Sequence, residues 1–370
     1  MKVAGITAEY NPFHKGHRYQ IEETRKQTDC DIVMAVMSGN WVQRGEPAVI
    51  DKFTRAEYAV RSGADIVIEL PFIFAVQAAS GFARGAATLM KLAEADWISF
   101  GSECGNLENL LEISEAPVNP DHLHQSMDKG MSFPRAYSLL TTEMRPNDIL
   151  AVSYLKEIRG TDIKPVVIQR TTNYLDDELH EVSSALAIRT ALKNGADIGD
   201  TTGMKQILYG HELNYIDKYY GYLRTFLLTS DPEVLAGTFL FSEGIENHLI
   251  KNAKQCSTWD EFLDSCVNYR YTASRIRRCC VHAMCQVSKK QKNSLPPLDT
   301  LRVLAFNDAG RRWLREKRDS GIRFANRFAD VPYPYRKMEY RASLLYVSQL
   351  NEEERRRILS REIAGAQYIK

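Results

Sequence analysis

Lys2-Val3-Ala4-Gly5-Ile6-Thr7-Ala8-Glu9-Tyr10 runs directly into Asn11-Pro12-Phe13-His14-Lys15-Gly16-His17-Arg18. The first part reads as a buried strand, and Asn-Pro punctuates it as a tight turn. A helix opening straight after the turn brings backbone N–H groups and the positive end of a helix dipole to the strand's end, where a phosphate can sit. His14 and His17 stand three residues apart, so they share one face of that first turn. Gly16 between them has no side chain, which lets backbone or ligand approach closely. Two imidazoles so placed can donate hydrogen bonds to phosphate oxygens, most effectively as charge builds at phosphorus. The bare spacing by itself is more often helix capping or surface chemistry than catalysis. Its position after the first strand of an α/β pattern favours a site, because ligands gather at the carboxyl ends of such strands. A glycine-rich dinucleotide fingerprint and a phosphate-loop motif are both absent at this position, which removes those two readings.

Working outward, apolar runs and amphipathic segments alternate. Asp31 to Met37, Asp65 to Leu70, Trp97 to Phe100 and Val166 to Arg170 read as further strands. Helices are predicted over His17 to Lys26, Asp51 to Ser62, Ala78 to Ala93 and, after Pro146-Asn147, through Ile149 to Ile158. Asp121 to Arg145 reads as helix broken near Gly130 and Pro134. This alternation predicts an α/β fold with a Rossmann-like parallel sheet covered on both faces. Beyond about Gly195 strand signals fade and helical patterns dominate, as over Glu243 to Lys254 and Thr258 to Cys266. The expected organisation is a catalytic domain over 1–200 and a helical C-terminal domain over 201–370.

Composition bounds the function. The chain has 370 residues and a net charge of +1, so it suits about two globular domains and is not uniformly basic. The start soon meets Glu9 and Asn11 and does not read as a signal peptide. The most apolar stretch, Ala64 to Ala79, is interrupted by Asp65, Glu69, Pro71 and Gln77, so it cannot span a bilayer; a cytoplasmic protein without membrane contact is expected. Seven cysteines, an odd number, suit reduced thiols better than a disulfide framework. Cys279, Cys280, His282 and Cys285 cluster without the paired Cys-x-x-Cys spacing of a zinc site; core packing is the expected use, and no metal-ligand set is assigned.

Three further constellations stand out. Ser184-Ala185-Leu186-Ala187-Ile188-Arg189 can be a helix capped by Ser184 with a surface arginine, or a phosphate contact in which Arg189 offers a planar fork of donors. Gly39-Asn40-Trp41-Val42-Gln43-Arg44-Gly45-Glu46-Pro47 follows the second strand; Arg44, with Lys52 and Arg55 behind it, reads either as phosphate or RNA contacts or as solvated charges paired with Glu46, Asp51 and Glu57. From Tyr269 to Lys292 the chain carries Arg270, Arg275, Arg277, Arg278, Lys289, Lys290 and Lys292 with no acidic residue. Such a run is either a solvated face or, with Tyr269 and Tyr271 interleaved, a surface for phosphate backbone and unpaired bases.

The His-x-Gly-His turn with a downstream Ser-x-x-x-Ile-Arg resembles the nucleotidyltransferase superfamily. More specifically, Thr7 to His17, the Met37 to Pro47 loop, Ile68-Glu69-Leu70-Pro71, Phe100-Gly101-Ser102-Glu103, Pro146-Asn147-Asp148-Ile149-Leu150 and Tyr269-Arg270-Tyr271-Thr272-Ala273-Ser274-Arg275-Ile276 resemble the bacterial tRNA(Met) cytidine acetate ligases over essentially the whole chain. The resemblance implies a nucleotidyltransferase-like domain that uses ATP and acetate to make acetyl-adenylate, then acetylates N4 of the wobble cytidine of elongator tRNA(Met). It places ATP contacts on Thr7, Ala8, Glu9, Tyr10, Asn11, Pro12, Phe13, His14, Lys15, Gly16, His17, Arg18, Tyr19 and Gln20, and on Gly101, Asn147 and Arg170. Ser184 and Arg189 join the nucleotide set, with His14, His17 and Lys15 as catalytic candidates and Mg²⁺ beside the pyrophosphate. Arg44, Arg270, Arg275, Arg277, Arg278, Lys289 and Lys290 are the tRNA candidates. The alternative is adenylyl transfer to a small phosphorylated cofactor precursor, which needs no basic RNA-facing helix.

Overall fold

The computed structural model describes residues 1–116, 144–170 and 183–370. Most of the helix expected over Asp121 to Arg145 lies outside these residues. A separate antiparallel ribbon pairs Trp41–Val42 with Glu46–Pro47, and the strands of the main sheet are β1 (Val3–Ala8), β2 (Ile32–Ser38), β3 (Ile66–Leu70), β4 (Trp97–Ser102), β5 (Lys164–Gln169), β6 (Thr300–Phe306), β7 (Arg323–Ala325) and β8 (Gln367–Tyr368). They form one sheet in the order β8-β6-β3-β2-β1-β4-β5, with β7 paired to β6. β1 lies inside the sheet, parallel to β2 on one side and to β4 on the other. Its neighbours explain its composition: a strand covered on both faces needs apolar residues at successive positions, not at alternate ones. Along β2, Val33, Ala35 and Met37 enter one core while Ile32, Met34 and Val36 enter the other.

The expected helices are present with close boundaries: α1 (Lys15–Thr28), α2 (Lys52–Arg61), α3 (Ala79–Leu92), α4 (Pro146–Ile158) and α5 (Ala185–Lys193). The helical portion follows, with α6 (Tyr220–Thr229), α7 (Ile245–Gln255), α8 (Trp259–Cys266) and α9 (Ala273–Met284), then α10 (Tyr333–Val347) and α11 (Glu352–Ile363). Cys279, Cys280, His282 and Cys285 are buried in its core, and the His282 Nε2 lies 2.8 Å from the Val76 carbonyl oxygen.

One difference from the sequence reading is structural. Strand pairing does not end before Gly195, because β6 returns to the sheet and runs antiparallel to β3. Its sequence, Thr300-Leu301-Arg302-Val303-Leu304-Ala305-Phe306, is strand-like except for Arg302, which an apolar-run reading rejects. Arg302 is tolerated there because its guanidinium donates to Glu69 at 2.5 Å and to Glu362 at 2.9 Å inside the protein. Lys52 completes this buried cluster, with Nζ 2.7 Å from Glu69 and 2.9 Å from Glu362. Glu339 lies beside it and accepts the Phe72 N–H at 2.5 Å. Burial, followed by repulsion from Glu69, pushes the Glu339 carboxyl up to about 8. At neutral pH the cluster therefore balances two cations against two carboxylates.

Candidate active site

The carboxyl ends of β1 and β4 meet α1, α4 and α5 around an open cleft, the place where ligands gather on a parallel α/β sheet. Thr7, Ala8, Glu9, Tyr10, Asn11, His14, His17 and Gln20 line it, together with Gly101, Asn147, Arg170 and Arg189. Gly16 and Tyr19 border a smaller recess that shares His14, His17, Gln20, Gly101 and Arg170. Pro12 and Phe13 are buried, while Lys15 and Arg18 are exposed, with Arg18 paired to Glu22 at 2.8 Å. Ser184 is the N-cap of α5 and accepts the Ala187 N–H at 3.0 Å. Sequence reading missed Gln43, Phe82, Phe100, Leu150, Tyr154 and Leu186, which also wall the cleft. Gln43, Phe100, Leu150 and Leu186 lie inside stretches already singled out but are ordinary apolar or amide residues with no chemistry to mark them, and Phe82 and Tyr154 reach the cleft only because α3 and α4 pack on the sheet.

The first turn of α1 differs from the expected array of open N–H groups. His14 is the N-cap, and its Nδ1 accepts the Gly16 N–H at 3.1 Å. His17 Nδ1 accepts the His14 N–H at 3.2 Å. The Lys15 N–H points at the Thr201 carbonyl oxygen at 3.5 Å. The backbone donors of this turn are thus largely engaged, and the side chains form a capping box built from two imidazoles. Because each Nδ1 is an acceptor, each neutral ring carries its proton on Nε2. What this turn can present to a phosphate is therefore ring Nε2–H rather than backbone N–H. The two ring centroids are 3.7 Å apart. An ideal Cβ on Gly16 would lie 2.9 Å from the His14 Cε1, so the intervening residue must be glycine for the His14 ring to fold back.

Both rings stay neutral. Burial, then the charges of Arg170 and Arg189, press His14 down from 6.5 to about 3. Burial, then His14 and Arg170, hold His17 well below its ordinary value. A histidine whose folded pKa is depressed favours the native state only while the unfolded chain is also neutral. His14→Asn keeps a capping acceptor but removes the titration. The stability of wild type relative to His14→Asn is expected to fall as pH drops below 6.5, levelling off near pH 3, as read from urea midpoints at successive pH values.

Arginines frame the same corner. Arg189 donates from Nη1 to the Asn11 carbonyl at 2.8 Å and lies 3.9 Å from Glu46. Arg170 and Arg44 are on the cleft wall. Glu9 is raised by burial, against the pull of the Gln43 N–H, Arg44 and Arg189. Neither reading of Lys52 and Arg55 survives: both are buried, so they are neither solvated charges nor open RNA contacts. Arg55 is spent on backbone carbonyls, donating to Glu9 at 2.5 Å, Ser38 at 3.1 Å and Ile50 at 3.0 Å, and also to Gly39. It fastens the ends of β1 and β2 where the cleft loops depart. At the β4 end, the Glu103 carboxylate accepts the Asn147 side-chain amide at 2.6 Å and the Asp148 N–H at 3.1 Å. In return Asp148 accepts from Ser102 at 2.5 Å and from the Glu103 N–H at 3.0 Å. The turn after β4 and the start of α4 thus cap each other.

The basic run of the C-terminal portion is less open than its composition implies. Arg275 bonds Ser242 at 2.8 Å and Glu243 at 3.3 Å and stacks over Tyr271. Arg277 pairs with Glu46 at 3.2 Å. Arg278 donates to the Gln43 carbonyl, and burial pushes it down to about 10. Arg270, Lys289 and Lys290 remain exposed. The acidic partners come from other elements, which a window along the chain does not see. This docking explains Gly45, whose φ is +75° and whose ideal Cβ would meet the Arg278 backbone nitrogen at 2.4 Å. Gly45→Ala is expected to cost about 1–3 kcal/mol through backbone strain alone, visible as a lowered denaturant midpoint.

Among the described residues no group of three or more His, Cys, Asp or Glu side chains is placed to hold a metal ion. Nor is any of their helices long and apolar enough to cross a membrane.

Known proteins share this arrangement from end to end. The crystal structure of apo Thermotoga maritima TmcAL superimposes with a TM-score of 0.91 at 29% identity, covering 100% of both chains. The same protein bound with alpha-thio ATP gives 0.88 at 29% identity, again over 100% of each chain. The tRNA(Met) cytidine acetate ligase of Geobacillus sp. (strain WCH70) is 33% identical over 98% of each chain. That of Bacillus subtilis (strain 168) is 31% identical over 95% of this chain and 93% of its own. The profile described as HIGH Nucleotidyl Transferase matches residues 1–361. The paired imidazoles at the mouth of α1 therefore sit in a chain that belongs to the tRNA(Met) cytidine acetate ligase family of HIGH nucleotidyl transferases.

Proposed function

We propose that this protein activates acetate with ATP and transfers the acetyl group to N4 of the wobble cytidine of elongator tRNA(Met). The observation that carries the reading is the pair of neutral Nε2–H donors in a cleft framed by Arg44, Arg170 and Arg189. An acetate oxygen attacks the α-phosphorus of ATP, the bond to the bridging oxygen breaks, and pyrophosphate leaves. Hydrogen bonds from the rings strengthen as charge develops on the phosphate oxygens, and the arginines take up charge on the leaving group. The cytidine N4 then attacks the acetyl carbon, AMP leaves, and the amine proton passes to water. Bases stacked in a loop are unreachable, so the cytidine is flipped out.

A triphosphate of this kind binds together with Mg²⁺, which keeps several waters and uses few protein ligands. Glu9 is the carboxylate among the cleft residues and is the side chain that would approach such an ion, whose part is to neutralise pyrophosphate charge. Exposed Arg270, Lys289 and Lys290 are the tRNA contacts favoured by charge; the inward-turned Arg275, Arg277 and Arg278 act through the shape they hold. Radiolabelled acetate, ATP and total tRNA test the reading: label is expected on N4-acetylcytidine of elongator tRNA(Met). Label that stays in small molecules overturns the tRNA step.

A further inference from the structure

Beside the nucleotide cleft lies a second recess, and the two share Leu186 and Arg189. Its walls come from both portions of the molecule: α5, the Glu46 ribbon, the turn at Tyr215 to Asp217, the start of α8 and Arg277 of α9. We infer that this recess receives the flipped base, and that the Glu46–Arg277 pair reads it as cytosine. The inference rests on the cytidine-acetylating function proposed above and names the site for its second substrate.

Position is the first argument. Acyl transfer needs the reacting atoms about 3–3.5 Å apart, so the acceptor base must enter next to the nucleotide. The recess shares the Leu186 and Arg189 side chains with the cleft. Chemistry is the second. Cytosine offers an N4 amine donor beside the N3 and O2 acceptors, whereas uracil offers an O4 acceptor in place of the amine. Glu46 and Arg277 stand 3.2 Å apart, about a fifth exposed each, at 18% and 22%. They present an acceptor beside a donor fork, the complement of cytosine. A carboxylate has about four lone-pair positions, so Glu46 can accept the amine while retaining Arg277. The O4 of uracil would face that carboxylate instead, acceptor against acceptor. Unmet hydrogen bonding is the third argument. Among the described residues, Arg277 Nε and Tyr215 Oη are buried polar atoms on these walls without a protein partner. A small rotation toward an incoming base satisfies them, and burial pushes Tyr215 up to about 12 so that it keeps its proton as a donor.

Thr190 of α5 also borders the recess and lies outside the nucleotide cleft. Thr190→Trp should obstruct the recess. The expected result is acetate-dependent ATP–pyrophosphate exchange within about twofold of wild type, with acetylation of tRNA lowered about tenfold or more. Glu46→Gln keeps shape but adds a donor. In competition with the natural tRNA, wild type should prefer a wobble cytidine over a wobble uridine by about tenfold, and Glu46→Gln should shrink that preference to about threefold or less. Wild-type acetylation by Thr190→Trp, or an unchanged preference in Glu46→Gln, overturns the assignment. If Thr190→Trp loses exchange as well, the uridine competition with Glu46→Gln decides alone. Failure of the wild-type protein itself to label cytidine would sink the proposed function, and the assignment of the recess with it, whereas the two variant results above sink the recess alone.

Discussion

Replacing His17 with asparagine is expected to lower acetate-dependent ATP–pyrophosphate exchange by about 10²–10³-fold, the usual cost of removing one donor aimed at developing charge. The proposed function gives His17 two jobs on two nitrogens. Its Nδ1 accepts the His14 N–H, and in that proposal its Nε2–H donates to the phosphate. Asparagine offers an oxygen for the first task but is too short for the second; alanine offers neither. His17→Asn should therefore lose exchange while holding its stability, whereas His17→Ala should lose exchange and in addition about 1 kcal/mol from the broken cap. Binding of tRNA, measured without ATP, should stay near wild type in both. Near-normal exchange in His17→Asn would remove the ring from the chemistry and leave it a capping role.

Lys52→Met is expected to be the most damaging single change to stability, costing about 3–5 kcal/mol, as removal of one partner from a buried ion pair does. The ammonium touches Glu69 and Glu362 at once, and all three side chains are almost fully buried. Without it Arg302 alone faces two carboxylates, with Glu339 close by. Methionine preserves the aliphatic stem and so isolates the charge effect. The gap between Lys52→Met and wild type should narrow as pH falls, because protonating a stranded carboxylate relieves the variant and gives nothing to the balanced cluster. Urea unfolding at neutral and mildly acidic pH measures this, and a gap independent of pH would reject the electrostatic account. The same helix carries Arg55, which holds the Glu9, Ser38 and Gly39 carbonyls, so the variant that still folds should also lose affinity for ATP.

Local sequence was informative where one short stretch supplies both structure and chemistry. Strands with both faces buried announce themselves as apolar runs, and α1 through α5 follow from periodicity and turn residues. His14, Gly16 and His17 are legible because their roles depend on spacing within a single helical turn. Arg189 and Ser184 were legible as a pattern, and Ser184 caps its helix as that pattern predicts.

Tertiary structure decided whatever depends on partners distant in the chain. Arg302, Lys52 and Arg55 are charged residues that a linear reading sends to the surface, yet each is buried because acceptors from remote segments converge on it: Glu69 and Glu362 for the first two, and loop carbonyls for Arg55. Arg275, Arg277 and Arg278 form a one-signed run along the chain but meet Glu243, Glu46 and the Gln43 carbonyl in space. The sequence by itself determined the parallel α/β sheet and the helix entrance with its two histidines, since both are set by contacts between near neighbours. Only the folded chain decided that β6 closes the sheet, that the first-turn N–H groups are spent on imidazoles, and that a second recess opens beside the first. Those features arise from desolvated charges and shared walls, whose free energy depends on what lies across the fold rather than along it.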